Sequence, residues 1–399
     1  MLKRMFKNYD YTLIAAVLIL TAIGLVMVYS SSMIVAVTVY HEESTHFFNK
    51  HLIWVTLGIF TFLFFMVVPY KMYQRLIIPI TVVMLVLLGL VPLIGEEHNG
   101  ARSWFEFGPV SLQPAEFAKI GVILYLASVF SKKQHYLSDF KTGVIPPLTM
   151  LAIVCFLIVL QPDFGTMMII VMTSAVIVFC SGMRWKHLFM MVGSMGGLGL
   201  IVYKFFLNSE QLSRFTGAYQ PFSDPQQDGY HLINGYLALG TGGLFGNGLG
   251  QSIQKYGFLP EPHTDFIIAI IGEELGFAGV LVIILLLYFI VFKGIYIGLH
   301  CKDAFGSLLS IGIAGMIGIQ AFVNLGAASG LLPITGVTLP FISYGGSSLI
   351  LLMISMGILV NVSMFVRYRK EQTPPADQAE PESNKQTKLR VVSRHQATH

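Results

Sequence analysis

Apolar residues fall along this chain in long uninterrupted runs, separated by polar or glycine-rich segments. Neither the alternation of a half-buried strand nor the stripe of a soluble amphipathic helix prevails. A run of about 20 apolar residues is long enough to cross a bilayer as a helix. Ten candidates occur, at 11–38, 47–68, 76–94, 113–130, 144–160, 166–181, 188–207, 264–292, 306–328 and 344–366. Without water to satisfy the backbone, such runs are expected to be helical. The expected fold is therefore an all-α polytopic membrane protein of ten transmembrane helices. The first run follows Lys3, Arg4 and Lys7, exceeds a signal-peptide core in length and precedes no Ala-x-Ala site, so it is expected to remain as an anchor.

Composition agrees with this pattern. Of 399 residues 54% are hydrophobic and 12% charged, half the ~25% charge of soluble domains, which excludes an ordinary cytosolic enzyme. Cys155, Cys180 and Cys301 form no CxxC pair and imply neither a disulfide framework nor a zinc site. With the N-terminus inside, nineteen of the 25 Lys and Arg fall in cytoplasmic segments, so both termini are expected in the cytoplasm. Glu42, Glu43, Glu96, Glu97, Glu106, Glu210, Asp224, Asp228 and Glu261 fall in outer loops, and the chemistry is expected to face outward. Two outer segments exceed plain connectors: 95–112, and a large loop at 208–263 between the seventh and eighth helices. The large loop has ten glycines interleaved with aromatics and leucines, which predicts an ordered, partly re-entrant lid. Three regions follow: a cytoplasmic N-terminus at 1–10, a membrane domain at 11–366, and a basic, disordered cytoplasmic tail at 367–399.

Three helices expected to run inward from the outer face begin alike, with Gln113-Pro114-Ala115-Glu116, Gln161-Pro162-Asp163 and Pro260-Glu261-Pro262-His263-Thr264-Asp265. Proline suits a first helical turn, and a carboxylate there meets the positive end of the helix dipole. Each acid alone reads as a cap. Together they lie at one depth near the edge of the hydrocarbon, where ionisable groups mark a cavity or pathway. Lys119 follows Glu116 by three positions and can pair with it. Asp163 is the expected second acceptor, making the trio either a buried packing network or the floor of a catalytic cleft. Asp265 has no Lys or Arg within one turn, the nearest being Lys255, and an acid so placed can act as a base. Glu273 and Glu274 lie about 12 Å deeper on the same helix, where an interhelical hydrogen bond is the expected role. Arg102, beside Trp104 and Phe105, and Lys255 are candidates for holding a phosphate or carboxylate. Prolines, glycines and hydroxyls from Leu331 to Ser348 predict a broken backbone lining a cavity. There is no P-loop, GxGxxG or GxSxG motif, and no nucleic-acid partner is expected.

The motifs together resemble the SEDS family (shape, elongation, division and sporulation). They are Gly100-Ala101-Arg102-Ser103-Trp104, Gln113 through Lys119, Gln161 through Thr166, Gly242 through Gly250, Leu259 through Phe266, Glu273 through Gly276, and Pro333 through Ser348, spread over roughly 12–366. The resemblance implies a ten-helix glycosyltransferase with both termini inside. It would polymerise lipid II into peptidoglycan on the outer face of the bacterial cytoplasmic membrane. It would work with a class B penicillin-binding protein and other division membrane proteins. Asp265 is then the essential acid, with Glu116, Lys119 and Asp163 as the polar cluster beneath it. Met27 through Ser32 and the basic tail favour the division branch, at the septum, over the elongation branch. In the implied reaction the 4-hydroxyl of lipid II attacks the first sugar of a diphosphate-linked glycan. Asp265 takes the proton or holds a divalent cation, Mg2+ or Mn2+. Arg102, Lys255, Ser343 and Ser347 meet the diphosphate, and no organic cofactor is expected. Two other classes compete: a lipid II flippase, although the charges gather at the outer edge rather than the midplane, and a recruiting scaffold, which leaves the acids without purpose.

Overall fold

The computed structural model describes residues 7–98, 101–107, 110–132, 143–183, 209–227 and 229–372, with Lys186, Gly193 and Gly197 individually. Apart from Gly193 and Gly197, the expected seventh span lies outside the described residues, as does the tail from 373. The chain forms α1 (Tyr11–Thr38), α2 (His46–Val67), α3 (Tyr70–Arg75), α4 (Ile77–Ile94), α5 (Pro114–Lys132), α6 (Ile145–Val159), α7 (Phe164–Cys180), α8 (Ser209–Tyr219), α9 (Tyr230–Thr241), α10 (Ile267–His300), α11 (Ala304–Ala328) and α12 (Gly346–Gln372). Seven of these, α1, α2, α4, α5, α10, α11 and α12, are long and apolar enough to cross a membrane, while α6 and α7 are shorter apolar helices. Being hydrophobic all round, they suit a membrane interior rather than the surface of a soluble protein.

One segment departs from the all-α expectation. Between α4 and α5 the chain forms a three-stranded antiparallel sheet of β1 (Glu96–His98), β2 (Ala101–Phe107) and β3 (Val110–Leu112), in the order β1-β2-β3. Along β2, Arg102 and Glu106 are exposed while Ser103 and Phe105 are buried, the period of a strand. The strands are too short for a search tuned to spans.

α5, α11 and α12 are 78%, 72% and 78% buried over their most apolar stretch, against 22% to 44% for α1, α2, α4 and α10. The first three form the inner core and the others the lipid-facing ring, with α2 packed along α12 and α10 along α11. At one end of the bundle Asp10 caps α1 and takes Arg367 at 2.6 Å and Lys293 at 3.3 Å, joining α1, α10 and α12. At the other end lie the sheet and the starts of α5, α7 and α12. Ser347 ties two of these, accepting from Gln113 N at 3.0 Å and donating to Ser111 O at 3.0 Å.

α10 is interrupted at Gly276 (φ 68°, ψ −170°), about 14 Å from its start. The interruption frees the carbonyls of Glu273 and Glu274 and the N–H groups of Phe277 and Ala278. The glycine-rich loop after α9 takes up all four: Asn247 N donates to Glu273 O (3.0 Å), Gly248 N to Glu274 O (3.0 Å), Phe277 N to Gly243 O (2.9 Å) and Ala278 N to Leu244 O (3.0 Å). The loop is thus spliced into a membrane helix, the arrangement that irregular backbone requires at that depth. A Cβ at Gly276 would meet Gly246 N at 2.3 Å and Leu244 C at 2.6 Å, and its dihedrals belong to a region only glycine occupies readily. Gly276→Ala is therefore expected to cost at least about 3 kcal/mol, from strain plus overpacking. Thermal unfolding in detergent checks this, with Gly89→Ala as control because a Cβ there meets nothing within 4 Å.

Candidate functional site

The candidate acid stands at the sheet end, on the turn that leads into α10. Asp265 is half-buried, and its side chain takes one hydrogen bond, from Thr264 Oγ1 at 3.1 Å. Among the described residues no Lys or Arg forms an ion pair with it. The turn itself is firmly held. Tyr344 N donates to His263 O at 2.9 Å, and Asn324 Nδ2 donates to Asp265 O at 2.8 Å and to Val337 O at 2.7 Å. The segment between α11 and α12 has no regular secondary structure from Pro333 to Leu339, as its prolines and glycines predict, and it packs against this turn.

His263, two residues before the acid, is buried against Phe47 and Tyr344, with ring centroids 4.4 and 5.5 Å away. Burial, helped by His51, holds its imidazolium down to about 4. Glu261 Oε2 lies 3.7 Å from His263 Nε2, but that carboxylate is 48% exposed. Water screens its attraction, and desolvation wins.

The expected polar cluster forms, with one partner exchanged. Glu116 and Lys119 pair at 2.8 Å, with side chains 11% and 2% exposed. The second acceptor of Lys119 is not Asp163 but Gln320 Oε1 on α11, at 3.1 Å. Asp163 instead caps α7 through Thr166 N (3.0 Å) and accepts from Gln113 Nε2 (2.8 Å), so it joins the start of α5 without touching the lysine. Gln320 Nε2 continues the network to Thr338 O (3.1 Å), Thr338 Oγ1 (3.3 Å) and Ser348 Oγ (3.3 Å). Thr338 follows Val337, which Asn324 holds beside Asp265. The cluster and the acid thus share one short segment. Sequence reasoning missed Gln320 and Asn324, although two amides four apart in an otherwise apolar run are a visible signal.

Three of the expected diphosphate ligands stand elsewhere. Lys255 is fully buried, its Nζ 2.8 Å from Glu274 Oε1 and 3.3 Å from Ser30 Oγ. The glycine-rich loop carries it down to the level of Glu274, so it is not a surface cation. Ser343 Oγ accepts from Leu339 N at 2.9 Å, and Ser347 is occupied by the main chain at 111 and 113; both are buried and hold backbone. Arg102 is exposed on β2. Glu274 takes the expected interhelical role, while Glu273 holds the loop that follows α9 instead. Glu274 accepts from Ser30 of α1 at 2.7 Å. Glu273 accepts from Ser252 Oγ and from the N–H groups of Ile253 (2.8 Å) and Gln254 (3.4 Å). Among the described residues no three His, Cys, Asp or Glu converge as a metal cage.

Comparison with known proteins agrees with this architecture. Residues 11–368 match the cell cycle protein family that unites FtsW, RodA and SpoVE. The probable peptidoglycan glycosyltransferase FtsW of Bacillus subtilis (strain 168) is 50% identical over 94% of this chain and 96% of its own. Stage V sporulation protein E of the same organism is 40% identical over 90% and 98%. A solved structure described as the structural coordination of polymerization and crosslinking by a peptidoglycan synthase complex superposes with a TM-score of 0.73 at 28% identity, over 90% of this chain and 99% of that one. The crystal structure of Thermus thermophilus rod shape determining protein RodA does so with a TM-score of 0.66 at 29% identity, over 89% and 96%.

Proposed function

This chain belongs to the FtsW, RodA and SpoVE family of cell cycle proteins, and from the geometry of its Asp265 turn we propose that it is a peptidoglycan glycosyltransferase that polymerises lipid II. The observation that carries the reading is a half-buried carboxylate, unpaired by any described cation, on a turn fixed by Asn324 and Tyr344. The 4-hydroxyl of lipid II attacks the anomeric carbon of the first sugar on a growing glycan. Asp265 accepts the hydroxyl proton, the new glycosidic bond forms, and the undecaprenyl diphosphate leaves. Arg102 supports the leaving charge. The buried position of Lys255 removes it from that role. Asp265 is the residue that would hold a Mg2+ or Mn2+ ion, since among the described residues no all-protein cage forms. Such an ion, when bound, supplies charge neutralisation.

The positive-inside distribution supports ten spans with both termini cytoplasmic, the Asp265 end facing outward and the loop 208–263 covering it. The similar solved structure, described as a peptidoglycan synthase complex that coordinates polymerization and crosslinking, supports a crosslinking partner, which the family resemblance implies is a class B penicillin-binding protein. The names of its relatives and Met27 through Ser32 support work at the division septum of the bacterial membrane. Purified protein with that partner, incubated with labelled lipid II with and without divalent cation, is expected to yield glycan chains. Absence of polymer, with flipping of lipid II in liposomes, would replace the enzyme by a transporter. A fluorescent fusion on the lateral wall rather than the septum would assign it to elongation.

A further inference from the structure

α11 is apolar along most of its length, yet Gln320 and Asn324 lie on one face of it, 0% and 1% exposed. Gln320 uses both ends of its amide, toward Lys119 and toward Thr338 and Ser348. Asn324 uses its NH2 alone. One N–H goes to Asp265 O at 2.8 Å and the other to Val337 O at 2.7 Å, while Oδ1 has no described partner. A carboxamide has two donors in one plane, so this group sets the spacing between two backbone carbonyls from distant parts of the chain. The side chain of Asp265 lacks such an anchor, since its hydrogen bond comes from the adjacent Thr264. The direction of the carboxylate is therefore inherited from its main chain, and Asn324 is the side chain that fastens that main chain to the core.

We propose that Asn324 is a positioning residue for Asp265: its NH2 group clamps the acid's carbonyl to residue 337 and so fixes the direction of the carboxylate. The inference rests on the reading of Asp265 as the acid of glycosyl transfer. It also gives the Glu116–Lys119–Gln320 network a route to the acid, because Gln320 holds residue 338 while Asn324 holds residue 337.

The test compares two amide clamps of the same chemistry. Asn361 on α12 is 0% exposed, donates to Met66 O at 2.7 Å and accepts from Tyr70 N at 2.9 Å. It serves the opposite end of the bundle. Asn324→Ala, the isosteric Asn324→Asp and Asn361→Ala are assayed in the full chain with its transpeptidase partner, by unfolding midpoint and by lipid II kinetics per folded molecule. Misplacement of an acid by about 1 Å costs on the order of a hundredfold. Both Asn324 variants are expected to lose about tenfold to a hundredfold in kcat with little change in KM, and Asn361→Ala to lose midpoint but not kcat. The proposal is overturned if the Asn324 variants keep kcat, or lose no more than Asn361→Ala. A second readout needs no activity. The thiol of Asp265→Cys, labelled with a membrane-impermeant maleimide, is expected to change its labelling rate by at least about fivefold when Asn324→Ala is added, since loss of a buried hydrogen bond frees the turn. An unchanged rate overturns the clamp. Absence of polymer from the wild type, together with this change in the Asp265→Cys background, would sink the glycosyltransferase reading and leave the clamp standing.

Discussion

Asp265→Asn is expected to lower lipid II polymerisation by about 10²- to 10⁴-fold, the usual contribution of a positioned general base. The change keeps the size of the side chain and removes the charge. Among the described residues nothing else depends on that charge, because no cation pairs with it and its one hydrogen bond comes from Thr264. The turn is held through main-chain atoms, at Asp265 O by Asn324 and at His263 O by Tyr344, and these contacts survive the substitution. Folding in detergent should be unaffected, so the loss reports chemistry. Gel analysis of labelled glycan chains measures it. A variant that retained more than a tenth of wild-type activity would remove Asp265 from the role of base.

The largest effect on stability is expected at Lys255. Its ammonium and the Glu274 carboxylate are both 0% exposed, and Ser30 completes the group. Removing one partner of a buried pair strands the other charge, at a cost of about 3–5 kcal/mol. Lys255→Met should therefore lower the unfolding midpoint sharply. The double variant Lys255→Met, Glu274→Met should recover most of the loss, because apolar groups of similar volume often replace a buried pair without penalty. If Lys255→Met unfolded like the wild type, water would have to reach the pair.

Seven of the ten expected spans were legible because an apolar run of bilayer length permits only a helix: those expected at 47–68, 113–130 and 306–328, for example, emerge as His46–Val67, Pro114–Lys132 and Ala304–Ala328. Polar contacts were legible only where sequence distance equals spatial distance, as with Glu116 and Lys119 one turn apart. Asp163 was assigned the lysine on depth alone, and depth leaves the azimuth of each helix open. α11 turned out to present Gln320 where an acid was expected. Lys255 was misread because a lysine in a glycine-rich loop resembles a surface charge. Its environment depends on Gly246 and Gly276 letting two backbones touch, which no local pattern encodes. Ser343 and Ser347 were expected to face substrate, but a broken segment at the end of the bundle first has to satisfy its own N–H groups, and these hydroxyls do that.

The splice at Gly276 bears on how the chain is assembled. During synthesis the loop at 242–250 emerges before α10, and on entering the bilayer α10 satisfies itself most simply as a straight helix, with Phe277 bonded to Glu273 and Ala278 to Glu274. The mature form replaces those two bonds by four to the loop. The loop cannot settle at that depth until the helix opens, since its own N–H and C=O groups would face hydrocarbon unpaired. The folded shape of α10 and that of the loop are therefore mutually dependent, since without the loop four backbone groups at that depth would lack partners.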